Sequence, residues 1–273
     1  MLHRPETLAE AIGLLTSRAD TRALAGGASL VAMLNARLVE PSALVSLARV
    51  KELRGSKALA DGTLRLGAMM RHRELAEHMS LPGPRGVLKQ AARAIANPTI
   101  RAMGTIGGSI ALDDPGADYP PALVALSATI ELVGAAGTRL VPAAEFFVDW
   151  YATVLSADEL VVAVHLPPVG GGAGVYHKLA RVAGDFAIVS VAVVRHGQGR
   201  VRAVIGACGP RPLSLPEADA ELERGKIAEA GAMLAEAADP VDDSRASAHY
   251  RRRVIPRMLA RAFAEASEQV YSS

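Results

Sequence analysis

The sequence predicts an α+β protein built as two units in series, and three observations predict it. Strand-like and helix-like patterns alternate through the first part of the chain. A Pro/Gly-rich break follows near residues 167–174, and beyond it a strong hairpin pattern gives way to helices. The break, LPPVGGGAG, puts two prolines and four glycines into nine residues, which is the composition of a loop or linker. The 273 residues suffice for a sizeable core and for two domains.

The elements follow in order. Thr7 can cap a helix over 8–17, with Glu10 three positions later as its capping-box partner. The short apolar run ALAG ends in a double glycine, and a helical pattern covers 29–38. LVSL at 44–47 and GTLRLGA at 62–68 read as strands, 72–78 as a short helix, and RGVLKQAARAIA at 85–96 as a helix stopped by Asn97-Pro98. Residues 99–118 show neither clean period. A helix over 119–126 carries its prolines in the first turn, where they do least harm. ATIELVG, a short partner at 139–141 and LVVAVHLP at 160–167 read as strands, with 149–158 wrapping back over the sheet and Trp150 as packing. After the break, GVYHKLA precedes a hairpin of FAIVSVAVV, HGQG and RVRAVIGAC; helices are expected over 216–224, 225–238 and 245–270.

Composition excludes several function classes. Half the residues are apolar and 21% are charged, as in an ordinary globular chain. Thirty basic against twenty-eight acidic side chains give no argument for nucleic acid, and 4% aromatics weakens base stacking. The single cysteine, Cys208, excludes an internal disulfide framework and an iron–sulfur cluster held by this chain's own thiolates. Any redox centre here is therefore expected to be an organic cofactor. The first fifteen residues lack a continuous apolar stretch, and no window approaches eighteen apolar residues, so no membrane-spanning segment is expected and the cytoplasm is the default location.

Two glycine segments carry chemistry. In Ala25-Gly26-Gly27-Ala28-Ser29-Leu30 adjacent glycines let the chain turn and let successive amides point at one anion. The segment is neither GxxxxGK[ST] nor GxGxxG, so a tight turn and a phosphate loop both remain open. Thr105-Ile106-Gly107-Gly108-Ser109 repeats the theme and is followed by Asp113, Asp114 and Asp118. Two such loops suit a pyrophosphate clasped from both sides with a carboxylate accepting from ribose hydroxyls. A divalent metal on the three carboxylates is the alternative, although no zinc spacing accompanies His72 and His78. His72 reads as structural, Cys208 as buried, Lys178 as a solvent-facing strand lysine, and the run from His249 to Arg253 as a solvated helix face.

AGGASL at 25–30, NPTIRAMGTIGGSIALDDPGADYPPALVAL at 97–126 and YHKLARVAGDFAIVSVAV at 176–193 together resemble the FAD-binding medium subunit of the molybdenum hydroxylases, the xanthine dehydrogenase and aerobic carbon monoxide dehydrogenase type. LRLGAMMRHRELA and IGACGPRP extend the resemblance over essentially the whole chain. It implies a vanillyl-alcohol-oxidase-like (PCMH-type) FAD-binding domain over 1–168, with subdomains of about 1–55 and 56–168. A flavoprotein C-terminal domain over 174–273, a small antiparallel sheet plus helices, follows. It further implies that Ala25, Gly26, Gly27, Ala28, Ser29 and Leu30 form the first pyrophosphate loop and Thr105, Gly107, Gly108 and Ser109 the second. By the same resemblance Asp118 lies near the adenosine ribose, Lys178 near the flavin, and Leu160 flanks FAD. Ala28 stands where relatives often carry Gln, His or Thr, and Ser109 where they often carry Asn. Asp113 and Asp114 depart from the commoner small residues or His and receive no role.

The activity implied is electron transfer. A large molybdenum-cofactor subunit oxidises substrate, a small [2Fe–2S] subunit relays electrons, and FAD on this chain passes them to NAD, a quinone or dioxygen, within a dimer of heterotrimers. The resemblance fixes neither the substrate nor the acceptor. A free-standing FAD-dependent oxidoreductase and a cofactor-free scaffold are the alternatives, the first lacking a substrate domain and the second hard to reconcile with two intact glycine segments. A β-branched residue at Gly26 or Gly107 is expected to impair FAD binding more than folding.

Overall fold

The computed structural model describes residues 1–17 and 19–271. The Thr7 hydroxyl accepts from the Glu10 amide at 3.2 Å and starts α1 (Leu8–Thr16). Around it run β1 (Leu2–His3), β2 (Thr21–Leu24), α2 (Leu30–Asn35) and β3 (Ala43–Ser46). The three strands pair in parallel in the order β1–β3–β2, so the helices serve as crossovers. Ala11 and Leu15 of α1 pack on Val45, Leu47, Val50 and Leu53 beneath this sheet.

The next stretch comprises β4 (Ser56–Ala58), β5 (Leu64–Gly67), α3 (His72–Glu77), α4 (Gly86–Ala94), α5 (Pro98–Met103), α6 (Ile106–Leu112) and α7 (Tyr119–Ala125). It continues through β6 (Thr129–Gly134), β7 (Gly137–Pro142), α8 (Ala143–Phe146), β8 (Phe147–Asp149), β9 (Ala152–Thr153) and β10 (Leu160–Leu166). A five-stranded antiparallel sheet runs β4–β5–β10–β6–β7. β6 shows why it forms: Ile130 and Leu132 enter the core while Thr129 and Glu131 turn away. α4 buries Val87, Leu88, Ala91 and Ala92 along one stripe against the same core. β10 reads as an unbroken apolar run because it divides two cores. Leu160 and Val162 pack towards the parallel sheet, and Val161, Val164 and Leu166 pack towards the larger cluster.

Residues 99–118, without a clean period in sequence, form two short helices. Asn97 caps α5 by accepting from the Ile100 amide at 3.0 Å, with Pro98 as the first helical residue. Thr105 caps α6 by accepting from the Gly108 amide at 3.1 Å. The expected helix over 29–38 contracts to α2, and Trp150 sits at the tip of the β8–β9 hairpin, 39% exposed rather than packed away.

The chain ends with β11 (Gly172–Leu179), β12 (Val189–His196), β13 (Val201–Gly206), α9 (Pro216–Glu223), α10 (Ile227–Ala237) and α11 (Ala248–Tyr271). The three strands form an antiparallel meander. Ala192 and Val194 of β12 join the core shared with α4 and α7, whereas Val191 and Val193 join the core beneath α9–α11. With both faces covered, alternation disappears from the sequence. Among the described residues no helix is long and apolar enough to cross a membrane.

One expectation is corrected in α11. Arg252 and Arg253 are exposed, but Arg251 is 4% exposed and donates to the carbonyls of Ile188 (2.5 Å) and Ala207 (3.0 Å) and to Asp243 (2.6 Å). Its guanidinium fastens the helix to the sheet. Arg251→Met is expected to lower stability by about 3 kcal/mol, because two carbonyls and a carboxylate lose their donor. Urea denaturation of the two proteins measures it, and matching midpoints would remove this role.

Candidate cofactor site

The first glycine segment leaves the carboxyl end of β2, a strand of the parallel sheet, and enters α2. Ligands in α/β arrangements gather at such ends. Gly27 turns in the left-handed region at φ 77°. Among the described residues the N–H groups of Gly26, Gly27, Ala28 and Ser29 donate to no protein acceptor, while Gly27 and Ser29 give their carbonyls to Val31 and Met33. Residues 25–28 are half-buried and Ser29 is exposed. Four successive donors left free in one short turn are an anion cradle.

The second segment is built differently. His72 donates its amide to Gly104 (3.0 Å), Ile106 to Met70 (3.0 Å), Gly107 to Ala68 (2.8 Å) and Ser109 to Thr105 (3.0 Å). With Gly108 on the Thr105 hydroxyl, these amides are spent inside the protein. What this segment can offer an anion is the Ser109 hydroxyl, which makes no protein hydrogen bond among the described residues, and a close backbone approach. The glycines therefore do two jobs. A Cβ at Gly26 would strike the Met103 carbonyl and come within 2.9 Å of the Gly104 Cα, so the two segments touch only because Gly26 has no side chain. Ala25 lies 3.3 Å from where a Cβ on Gly108 would be.

Gly107 corrects an expectation. It is buried, and a Cβ there would fall 2.5 Å from the Ala68 Cβ and 2.8 Å from the Ala68 carbonyl. A valine at Gly107 therefore disrupts the join between β5 and α3 and lowers folding stability, so it is no selective probe of FAD binding. Gly26 remains one.

Asp118 and Lys178, read separately from sequence, meet. The Lys178 ammonium lies 3.0 Å from Asp118 Oδ1 and donates to the Ala94 carbonyl at 2.7 Å; the Tyr176 hydroxyl donates to Asp118 at 2.7 Å. Both charged side chains are 6–7% exposed. Burial pushes the Asp118 carboxyl above the usual carboxylate range, with Lys178 and Tyr176 pulling it back. Lys178 is thus not solvent-facing, and the pair joins α4, the start of α7 and β11. Tyr176 is not among the expected site residues; its place two residues from Lys178, on the same strand face, is the signal that marks it. Gln90, which clasps β11 through the Gly174 carbonyl (3.0 Å) and the Tyr176 amide (2.9 Å), gave no signal.

Leu160 is buried in the cluster on which Ala25 packs, and so forms part of the floor below the first segment. His72 lies behind the second: its ring packs on Gly104, and Nδ1 lies 2.9 Å from the Tyr119 hydroxyl. Burial, with the Arg101 charge, holds its imidazole neutral, down to about 4 from 6.5. The unfolded chain then takes up a proton first as pH falls. The His72 contribution is accordingly full above 6.5 and is lost towards about 4, by roughly 3 kcal/mol. Subtracting the urea stability profile of His72→Gln from that of the wild type isolates this loss; a flat difference would contradict it.

Asp114 accepts from the Gly116 amide (2.9 Å) and the Tyr151 hydroxyl (3.2 Å), and Asp113 is 2% exposed. Among the described residues no group of three His, Cys, Asp or Glu side chains is arranged to hold a metal.

The chain was compared with known proteins. The family model described as the FAD binding domain in molybdopterin dehydrogenase matches residues 1–169, and that of the CO dehydrogenase flavoprotein C-terminal domain matches 174–266. The carbon monoxide dehydrogenase medium chain of Afipia carboxidovorans is 36% identical over 272 residues, covering 95% of this chain and 94% of the relative. The glyceraldehyde dehydrogenase medium chain of Sulfolobus acidocaldarius is 32% identical, covering 96% of both. Among solved structures, a chain of carbon monoxide dehydrogenase from Hydrogenophaga pseudoflava superposes with a TM-score of 0.93 at 32% identity, over 98% of this chain and 97% of that one. The fold is accordingly the PCMH-type FAD-binding fold of two subdomains followed by a small antiparallel sheet and helices. Free amides in the first segment, glycines packed for backbone approach and full-length similarity all agree with bound FAD. The chain belongs to the FAD-binding medium-subunit family of the molybdenum hydroxylases and is an FAD-dependent oxidoreductase subunit of that class.

Proposed function

We propose that this chain takes electrons from the [2Fe–2S] clusters of a small partner subunit and passes them through FAD to an external acceptor such as NAD, a quinone or dioxygen. In this reading a large molybdenum-cofactor subunit oxidises the substrate, and the complex is a dimer of heterotrimers. The observation that carries it is the run of four unpaired amides at 26–29, in a chain similar from end to end to medium chains of carbon monoxide and glyceraldehyde dehydrogenases. Bound FAD supplies the capacity to take electrons singly and to release them as a pair.

The protein's part is to bind and orient. Residues Ala25 to Leu30 hold the pyrophosphate through backbone N–H groups. Thr105, Gly107 and Gly108 fix the second segment against the first, and Ser109 adds a hydroxyl donor. Asp118 and Lys178 act as a buried pair that positions β11 beside the cofactor, and Leu160 supports the first segment from below. Residues 1–168 form the FAD-binding part, in subdomains of about 1–55 and 56–168, and 174–273 the C-terminal part. Cys208 is the single cysteine and is buried, too few thiolates for a [2Fe–2S] cluster, so in this reading the clusters lie on a partner chain.

Native co-purification with metal and flavin analysis tests the reading. FAD is expected on this chain, with molybdenum and iron on the chains that accompany it. An isolated flavin-loaded chain with full substrate turnover would favour a free-standing oxidoreductase, and an intact complex without FAD would favour a scaffold.

A further inference from the structure

The parallel sheet is well covered on one side only. Right-handed crossovers that move across the order β1–β3–β2 in opposite senses place α1 and α2 on opposite faces. Under α1, Ala23 and Val45 join Ala11 and Leu15 in one cluster. The opposite face presents Leu2, Leu24 and Leu44, with Arg22 in register beside Leu44. The crossover on that side is α2, with the sequence LVAMLN and no buried residue. Among the described residues, neither α2 nor these three leucines enter any hydrophobic cluster. Leu2 is 47% exposed and Val31 41%. Leu38, whose amide closes on the Met33 carbonyl just past the helix, is 72% exposed.

Parallel sheets are ordinarily buried on both faces, and a contiguous exposed apolar surface marks a place of interaction. Charge is sparse on this one. Between residues 21 and 44 the charged side chains are Arg22, Arg37 and Glu40, the depletion found at interface centres. All three are exposed, and among the described residues none forms an ion pair. Cations therefore outnumber acids two to one, and the rim calls for acidic groups on whatever covers it.

The position of this face identifies the occupant. α2 starts at the residue after the four free amides, so a partner on it lies against the rim of the cofactor site. Electrons must arrive there from outside. The single cysteine holds no cluster, and no described group of side chains is arranged to hold a metal. Electron transfer falls off steeply with distance, so the chain that carries the donor must dock at that rim. We propose that α2 and the open face of the parallel sheet are the docking surface for the [2Fe–2S] subunit, which meets it with an apolar centre and acidic groups opposite Arg22 and Arg37. The inference rests on the FAD reading, which names a donor subunit but no place for it to bind. A lipid surface fits less well, since two cations fall short of the roughly four to eight that hold a protein to anionic headgroups.

The test titrates the [2Fe–2S] subunit, purified from the native complex, into the full-length, FAD-loaded chain and follows association by calorimetry. Wild type is expected to bind saturably, and more weakly as salt rises, because Arg22 and Arg37 act at the rim. Leu38→Glu is expected to weaken this binding at least about 30-fold and Arg37→Glu about tenfold, with FAD content and melting temperature unchanged. Met79→Glu, at a residue 88% exposed between α3 and α4, is the control and is expected to match wild type. Wild-type affinity in both Leu38→Glu and Arg37→Glu overturns the proposal. Loss of FAD from a folded Leu38→Glu also overturns it, because the face then serves the cofactor. So does a Leu38→Glu chain altered only in self-association or in binding to phosphatidylserine vesicles. If Leu38→Glu does not fold, Arg37→Glu decides alone. A wild-type chain that carries no FAD, or a native complex without a cluster-bearing subunit, overturns the underlying reading instead.

Discussion

Ala28→Glu is expected to weaken FAD binding about 30- to 100-fold while leaving the melting temperature unchanged. Ala28 lies in the middle of the run of free amides and is half-buried, so a longer side chain has room without entering the core. A carboxylate there meets a pyrophosphate held by its own backbone and its neighbours. At about 5 Å and near-surface screening the repulsion is about 2.0–2.7 kcal/mol, which converts to the stated factor. The carboxylate also competes for the same N–H donors. Ala28→Gln, of equal length and without charge, is the control and should stay within a few-fold of wild type. If Ala28→Glu and Ala28→Gln bind FAD alike by equilibrium titration, the anion is not held at this turn.

Lys178→Met is expected to cost about 3–5 kcal/mol of folding stability, because it strands Asp118 in the interior. The Asp118 carboxyl then keeps only the Tyr176 hydroxyl as partner. Removing both charges in Asp118→Asn/Lys178→Met should recover a substantial part of the loss, and the double-mutant cycle in urea measures how much. The pH dependence follows in sign. Asp118 already sits above 3.8 in the folded state, and without Lys178 it rises further. The folded variant then binds more protons than the unfolded chain, so its stability falls as pH rises from 3.8 through the folded value. A deficit independent of pH, or additive single substitutions, would show that the two groups act separately.

Much of this architecture is legible in local chemistry. Thr7 with Glu10, Asn97-Pro98 and the stripe of Val87, Leu88, Ala91 and Ala92 announce their elements because capping and periodicity are properties of a few neighbouring residues. The glycine segments are legible as positions of small residues, and family resemblance gives them a ligand. Their division of labour is not. Gly107 and Gly108 lie inside the first turn of a capped helix, where a reader of sequence sees a loop, and their amides are consumed by Ala68 and Thr105. Only the partner segment, some forty residues earlier in the chain, decides that.

The same limit governs the long-range pairs. Nothing near Asp118 signals that Lys178, sixty residues on, will neutralise it. Arg251 looks like its exposed neighbours Arg252 and Arg253, and differs only because its side of α11 meets the carbonyls of Ile188 and Ala207. Two-residue β1 carries too little pattern to be seen at all. Asp113 is the instructive case: sequence marked it as a departure from the family pattern, and the fold supplies the physical anomaly, a sealed oxygen with no partner.

The most direct measurement is a saturation titration of the full-length, flavin-stripped chain with FAD, with wild type and Ala28→Glu side by side. The account predicts saturable, equimolar binding by the wild type and a curve displaced at least about 30-fold in Ala28→Glu. No saturable binding by a folded wild-type chain, or superimposable curves for the two proteins, would contradict it.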